Sequence, residues 1–281
     1  RLATFLLGCL RMTTEEAADE VATIGTQIFL QETDESSMRE SNARKLKIAL
    51  EAILLRRGFP VNIMLNDNAL ESSLSNVVAF AATSASIDRC HSFRTYSSPY
   101  PPVPCTFVEA ACAILATPHF LPPIIIGPRL RAREFVGIPW GLNNPTREML
   151  KEASVIFEDI TIVSLLLSLG AGRQPVLSFD SSLSNWNEHF NLLLAHHSLN
   201  CERVHIDLSD QMSNSGAYVR LNVKRGMEYI RPSDWQKLGT IETHIDEYTQ
   251  RRKPSRKIDF CIRIIRKRNE AIAIGQPSKF C

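Results

Sequence analysis

The stretch Phe135-Val-Gly-Ile-Pro-Trp-Gly-Leu-Asn-Asn-Pro-Thr-Arg-Glu148 combines two patterns that decide the fold. Phe135-Val136 has the apolar character of a buried strand. Asn144-Pro145 places a capping residue before a proline, which is typical of the first positions of a helix. The stretch therefore predicts a strand, a turn and a helix that runs to about Ala153.

Helices and short apolar strands alternate on both sides of this stretch. Predicted helices cover residues 2–12, a segment from Thr13, Lys45–Leu55, Thr106–Ala116, a segment from Ser233, and about Ser255–Ile274. Predicted strands are Val77–Ala82, Phe93–Tyr96, Ile160–Leu169 and an edge strand at Tyr218–Val223. Capping boxes are predicted at Thr13/Glu16 and Ser233/Gln236, and the polar segment Glu32–Asn42 is predicted to be a loop. The alternation predicts a layered α/β domain, and the apolar run at 160–169 suits the middle of a parallel sheet.

Composition excludes several classes of function. The 281 residues can form one or two domains, and a net charge of +2 is too small to indicate nucleic acid binding. The longest mostly apolar run is too short to span a bilayer, which needs about 20 residues. Seven scattered cysteines, with no C-x-x-C spacing, favour a reducing intracellular compartment over disulfides or a metal site. Gly170-Ala-Gly172 is only a fragment of a nucleotide fingerprint, so no cofactor is predicted.

Several motifs occur in the order seen in one known family. They are Gly8-Cys-Leu-Arg-Met-Thr-Thr-Glu-Glu16, Phe93-Arg-Thr-Tyr96, Glu109-Ala-Ala111 with Ala116-Thr-Pro118, Gly141-Leu-Asn-Asn-Pro-Thr-Arg-Glu148, Val163–Gly170, Asn222–Gly226 and Asp234–Gly239. Together they resemble the patatin-like phospholipases, especially the fungal-type branch, across most of residues 2–270. The pattern G-x-N-N-P after a strand is the most specific of them.

The resemblance implies a fold, a reaction and a pair of domains. The fold is a three-layer, mostly parallel sheet with helices on both faces. The reaction is hydrolysis of lipid acyl esters by a Ser-Asp dyad, with a glycine-rich oxyanion loop near the N-terminus. We expect a patatin-like domain at 1–175, without that loop and the nucleophile elbow, and a C-terminal extension at 176–281 with an edge strand and basic helices.

The catalytic positions depart from the family pattern. The aspartate of the family's D-G-[GA] aligns with Gly137, and the serine would precede Arg1, which itself occupies the position of an elbow glycine. Cys112 stands where the family has an arginine. No catalytic residue is therefore predicted, because loss of a dyad member costs about 10³-fold or more in rate. Glu134 is near in sequence, but three positions along a strand move it about 10 Å and reverse its face. Asp159 and Asp180 are substitute candidates by default only.

Three interpretations of function remain open. The chain is a patatin-like domain without hydrolytic activity, an active hydrolase whose N-terminal segment lies outside this sequence, or a non-catalytic lipid- or protein-binding module. The third rests on a basic C-terminal helix that carries an apolar stripe and could lie on an anionic membrane. Its cations are Arg251, Arg252, Lys253, Arg256, Lys257, Arg263, Arg266, Lys267 and Arg268, and its stripe is Ile258, Cys261, Ile262 and Ile265. The simpler alternative is a helix packed on the domain with a solvated basic face. The expected partners are membrane lipid or an acyl ester, and the expected location is cytoplasmic with peripheral membrane contact.

Overall fold

The structure, a computed structural model, divides the chain into two compact units. It describes residues 1–29, 35–70, 75–117, 119–137, 142–157, 163–173, 201–213, 216–231 and 233–273, with side chains to 267. The first unit contains Arg1–Trp140 and Pro232–Trp235, and the second contains Gly141–Arg231 and Gln236–Cys281. The domain boundary expected at 175/176 stays a prediction.

The first unit contains four described helices, two of which begin at a side chain that caps the free backbone N–H groups. They are α1 (Leu2–Gly8), α2 (Thr14–Ile28), α3 (Ser36–Arg56) and α4 (Phe107–Leu115). The capping box predicted at Thr13 and Glu16 is confirmed, and Thr106 with Glu109 forms a second one at α4. The predicted loop at 32–42 is wrong over its second half, because α3 already begins at Ser36. Residues 32–34 lie outside the described residues.

The sheet of the first unit is small and antiparallel, which corrects the predicted three-layer parallel sheet. Its strands are β1 (Val78–Thr83), β2 (Ser86–Arg94), β3 (Ile124–Ile126) and β4 (Arg133–Gly137), in the order β2-β1-β4-β3. All three neighbouring pairs are antiparallel. The physical reason lies in the connections: two residues join β1 to β2 and six join β3 to β4, whereas a parallel pair needs a crossover of about a dozen residues.

The core of the first unit is built from aromatic and aliphatic side chains of its helices and sheet. Phe5 and Phe107 pack with ring centroids 5.4 Å apart, and Phe93 meets Phe135 edge to face at 5.3 Å. All four rings are at most 1% exposed. Burial of each such ring stabilises the fold by about 1.5–3 kcal/mol. The strand predicted at Phe135-Val136 is confirmed, and it lies in the middle of this core.

The second unit combines a short parallel strand pair with helices. Its elements are α5 (Thr146–Ile156), β5 (Leu166–Leu169), α6 (Cys201–Gln211), β6 (Tyr218–Leu221), a 3₁₀ turn (Trp235–Lys237, whose Trp235 belongs to the first unit), α7 (Leu238–Gln250) and α8 (Arg252–Ala273). β5 and β6 pair in parallel with Leu166 opposite Tyr218. The strand predicted at 160–169 is shorter than expected, and residues 160–162 lie outside the described residues. The capping box predicted at Ser233 is wrong, because α7 begins after Lys237 without a side-chain cap.

Among the described residues, no helix combines the length and the apolar character that crossing a membrane would require.

Candidate functional site

Gly137, at the position that the resemblance assigns to the catalytic aspartate, ends β4 in a tightly packed environment. It is buried, and its N–H donates to the Ala116 carbonyl at 2.8 Å. A Cβ added at this position would lie 2.8 Å from the carbonyl oxygen of Ile114 and 3.2 Å from backbone atoms of Ala116. These are backbone atoms, which cannot turn away as a flexible side chain could. A side chain at position 137 therefore requires the main chain to move.

Arg1, at the position of the elbow glycine, reaches the same place. Its Nη1 donates to the Ile114 carbonyl oxygen at 3.2 Å. The structure thus brings together two positions that are far apart in sequence and that the resemblance assigns to one catalytic site. Neither position carries a carboxylate or a nucleophile, so the pair cannot perform the family's acyl transfer.

The substitute carboxylates do not complete a dyad. Glu134 lies three residues before Gly137 on β4, and its side chain is exposed to solvent. Successive strand residues point to opposite faces, so Glu134 faces away from the side on which Gly137 lies. Asp159 and Asp180 lie outside the described residues.

A buried polar cluster forms in the second unit, and the sequence analysis missed it. We define it by its members Asn144, Thr146, Ser168, Glu202, Arg220 and Asn222. Arg220 is 5% exposed, donates from Nη1 to Ser168 Oγ at 2.8 Å, and lies 3.4 Å from Glu202 Oε1. Asn222 Nδ2 donates to the same Glu202 oxygen at 3.1 Å. Two strands and α6 are thus joined through charge-assisted hydrogen bonds.

The helix that follows the asparagine-proline motif joins this cluster. Asn144 Oδ1 accepts from the Thr146 N–H at 3.3 Å and from its hydroxyl at 2.5 Å. The predicted N-cap is nevertheless wrong by one residue, because the cap position is held by Pro145 and the helix has no side-chain cap hydrogen bond. Thr146 Oγ1 and Ser168 Oγ share a further hydrogen bond at 3.1 Å. The motif that the sequence analysis singled out therefore anchors α5 to β5.

The glycine turn after β5 closes the cluster. The Gly172 N–H donates to Asn222 Oδ1 at 2.8 Å, and Gly172 has φ +110°, a conformation that glycine adopts without strain. A Cβ at Gly170 would lie 2.4 Å from the same Asn222 oxygen. Close approach to Asn222 explains Gly170, whereas Gly172 is explained by its positive φ and by Met227, whose Cβ would lie 2.6 Å from an added Cβ.

The hydrogen bonds of the polar cluster link its elements to one another. Ser168 pairs with Arg220, Thr146 and the Tyr218 hydroxyl. His205 pairs with the same Tyr218 hydroxyl at 3.1 Å, and burial lowers the pKa of its imidazole. The signal that could have revealed the cluster is the presence of polar residues inside apolar strands, namely Ser168 in β5 and Arg220 in β6.

The basic helix predicted at the C-terminus is present and begins three residues earlier than expected. Its Cys261 is 4% exposed, and Lys257 Nζ donates to the Arg220 carbonyl at 3.2 Å, so one side of α8 packs within the second unit. The opposite side is exposed and basic; its described cations are Arg252, Lys253, Arg256, Arg263, Arg266 and Lys267. Ile262 and Ile265 remain 39% and 48% exposed beside it. Cys261 of the apolar stripe is therefore packed within the unit, whereas Ile262 and Ile265 are exposed to solvent.

Three of the described cysteines have thiols that burial keeps neutral. Burial raises the pKa of the Cys9, Cys105 and Cys112 thiols to about 12, which keeps them protonated and unreactive near neutral pH. No three His, Cys, Asp or Glu side chains within the described ranges are grouped closely enough to hold a metal ion.

Comparison with known proteins adds no relative to this description. No protein-family model matches the chain, and no curated protein matches it.

Proposed function

We propose that this chain is a non-hydrolytic relative of the patatin-like acyl hydrolases that acts by binding rather than by catalysis. The observation that carries the proposal is the meeting of Arg1 and Gly137 at the Ile114 carbonyl. The resemblance pairs these two positions in one site, and their proximity supports the alignment on which it rests. The backbone packed around Gly137 argues against an aspartate there.

The alternative is an active hydrolase whose nucleophile lies in a segment that precedes Arg1. Such an enzyme would still need a base at the position of Gly137. A serine hydroxyl without a positioned base is a poor nucleophile near neutral pH. The packing of Gly137 against Ile114 and Ala116 therefore favours the non-hydrolytic proposal over this one.

Two measurements test the proposal. The native transcript upstream of Arg1 should encode, in frame, a strand-turn-helix elbow and a glycine-rich loop; their absence would remove the family relationship. The native protein should release no fatty acid from fluorescent phospholipid or diacylglycerol above the buffer rate. Hydrolysis that survives purification to homogeneity would overturn the non-hydrolytic proposal and leave the relationship standing.

A second candidate function is attachment to an anionic membrane through the exposed side of α8. The specific observation is the set of six exposed cations on α8, together with the exposed Ile262 and Ile265 that flank them on the same helix. Anionic lipid attracts such clusters, and the attraction weakens as salt rises. Helices that lie on a membrane also bury apolar side chains in the lipid interface, and Ile262 and Ile265 are exposed and could do so.

Sedimentation with vesicles of phosphatidylserine and phosphatidylcholine separates this function from a merely solvated face. We expect binding in 50 mM salt that falls in 300 mM salt. The variant Arg256→Glu/Arg263→Glu should weaken binding by at least about tenfold. Lys224→Glu/Arg225→Glu is the matched control, because both of its residues are exposed in the same unit and it changes the net charge equally. Equal loss in both variants would mean that net charge, and not α8, accounts for the binding.

A further inference from the structure

The first unit contains an apolar groove that lies away from the Ile114 carbonyl. We call it the α3–β3 groove, because it is lined by Ala43 and Leu46 of α3, Cys112 of α4, and Leu121 and Ile124 at the start of β3. Its volume is about 210 Å³. Leu46 and Leu121 are buried at 1% and 2% exposure, so they form a packed base beneath the groove. The accessible apolar surface comes from the half-buried Ala43, Cys112 and Ile124.

The floor of the groove is neutral. Cys112 lines it. A thiol is short and apolar, and burial raises the pKa of Cys112 to about 12, so it carries no charge near neutral pH.

The mouth of the groove is positively charged. Arg44 and Lys47 lie one turn apart on α3, line the groove and are exposed. Lys47 Nζ is 3.8 Å from Glu51, a partly exposed pair of the kind that contributes little. No acidic side chain lines the groove itself. The charge at the mouth therefore suits an anion, while the walls suit a hydrocarbon.

We propose that the α3–β3 groove binds a medium-chain alkyl carboxylate, with the alkyl chain against Ala43, Cys112 and Ile124 and the carboxylate at Arg44 and Lys47. A dry cavity of about 150 Å³ accommodates benzene, so this groove has room for a chain of roughly six to ten carbons. The guanidinium of Arg44 can bind both carboxylate oxygens. This site goes beyond the proposed function, because it lies in the first unit and involves neither Gly137 nor α8.

Calorimetric titration of the whole chain with hexanoate, octanoate and decanoate, each below its micelle concentration, tests the groove. Each added methylene that enters the groove should lower Kd by about fourfold. Decanol should bind more weakly than decanoate because it lacks the charge. Affinity that does not depend on chain length would overturn the proposal.

Charge variants test the mouth of the groove. Arg44→Glu should weaken decanoate binding by about tenfold or more and leave decanol binding nearly unchanged. Lys45→Glu is the matched control, because it is the neighbouring exposed cation on α3 and does not line the groove. Equal losses from both variants would show that only the net charge matters and would contradict the proposal.

Filling variants test the interior. Cys112→Met should weaken decanoate and decanol alike, because the longer side chain occupies the floor. Ala43→Leu fills the groove from the half-buried side of α3, so it keeps the test available if Cys112→Met does not fold. Undiminished binding in a folded filling variant would place decanoate elsewhere. Binding to anionic vesicles without binding to decanoate would assign the affinity to a lipid surface and reject the groove.

Discussion

The substitution Gly137→Ala tests the packing on which the non-hydrolytic proposal depends. The new Cβ would lie 2.8 Å from the Ile114 carbonyl oxygen, whereas ordinary contact begins at 3.4 Å. The main chain at position 137 and the main chain at Ile114 must therefore move apart by about 0.6 Å. Movement of this size strains the hydrogen bond from Gly137 to Ala116 and the pairing of β4 with β1 at Ala81.

The expected loss of stability follows from these two effects. Overpacking of a close-packed site costs about 1–3 kcal/mol. Weakening of a buried backbone hydrogen bond adds about 0.5–1.5 kcal/mol. We therefore expect Gly137→Ala to lower the free energy of unfolding by about 2–4 kcal/mol. Gly137→Asp should cost more, since its carboxylate would be buried beside carbonyl oxygens.

Urea unfolding followed by circular dichroism measures this loss, and Gly239→Ala is its control. Gly239 lies near the start of α7, and a Cβ there would meet nothing within 4 Å. The same chemical change should therefore be neutral or stabilise by up to about 1 kcal/mol. If Gly137→Ala is as stable as the wild type, the backbone around position 137 can accept a side chain. The structural argument against an aspartate would then fail.

Three further predictions concern the polar cluster, the thiols and a helix cap. Arg220→Met should lower the free energy of unfolding, measured in urea, by about 2–4 kcal/mol. The loss is less than for a fully buried pair because Glu202 is 30% exposed. A smaller loss than that caused by Ser168→Ala would contradict the central role of Arg220. The raised pKa values of Cys9, Cys105 and Cys112 mean that unfolded thiols lose protons first as pH rises. Stability should therefore be complete below about pH 9 and fall by about 1.4 kcal/mol per pH unit for each thiol towards pH 12, and a triple alanine variant should show a flatter profile in the same titration. Thr106→Ala removes the hydroxyl that accepts from the Glu109 N–H at 3.1 Å, so the free energy of unfolding should fall by about 1–2 kcal/mol in thermal unfolding. An unchanged unfolding temperature would mean that the cap contributes nothing.

Local chemistry explains which elements were predictable. Thr13 and Glu16 lie three residues apart before an amphipathic segment, and that spacing alone specifies a capping box. Asn144 needs only Thr146 two residues later for its hydrogen bond at the start of α5, although the cap position itself falls on Pro145. The same holds for the apolar strand at Phe135 and for the basic helix near the C-terminus. Each of these features depends on residues within one or two turns of each other.

Strand direction was not predictable from the same local patterns. An apolar run such as Val78–Thr83 suits a buried strand of either orientation. The resemblance suggested parallel neighbours, but the short connection to Ser86 permits only an antiparallel one. β3 was not predicted at all, because three isoleucines among prolines carry too little periodicity to distinguish a strand from a loop.

By itself, the sequence determined the capped start of α2, the apolar strand at Phe135, and the residues at two positions of the resembled catalytic site, namely a glycine at 137 and an arginine at 1. Only the tertiary structure decided that these last two positions meet at the Ile114 carbonyl and that position 137 has no space for a side chain. It also assembled Arg220, Ser168 and Glu202 from three separate elements, and it placed Cys112 on the floor of a groove with a basic mouth. The physical reason is range: caps and periodicity act between neighbours along the chain, whereas close approach and buried charge pairing depend on segments that only folding brings together.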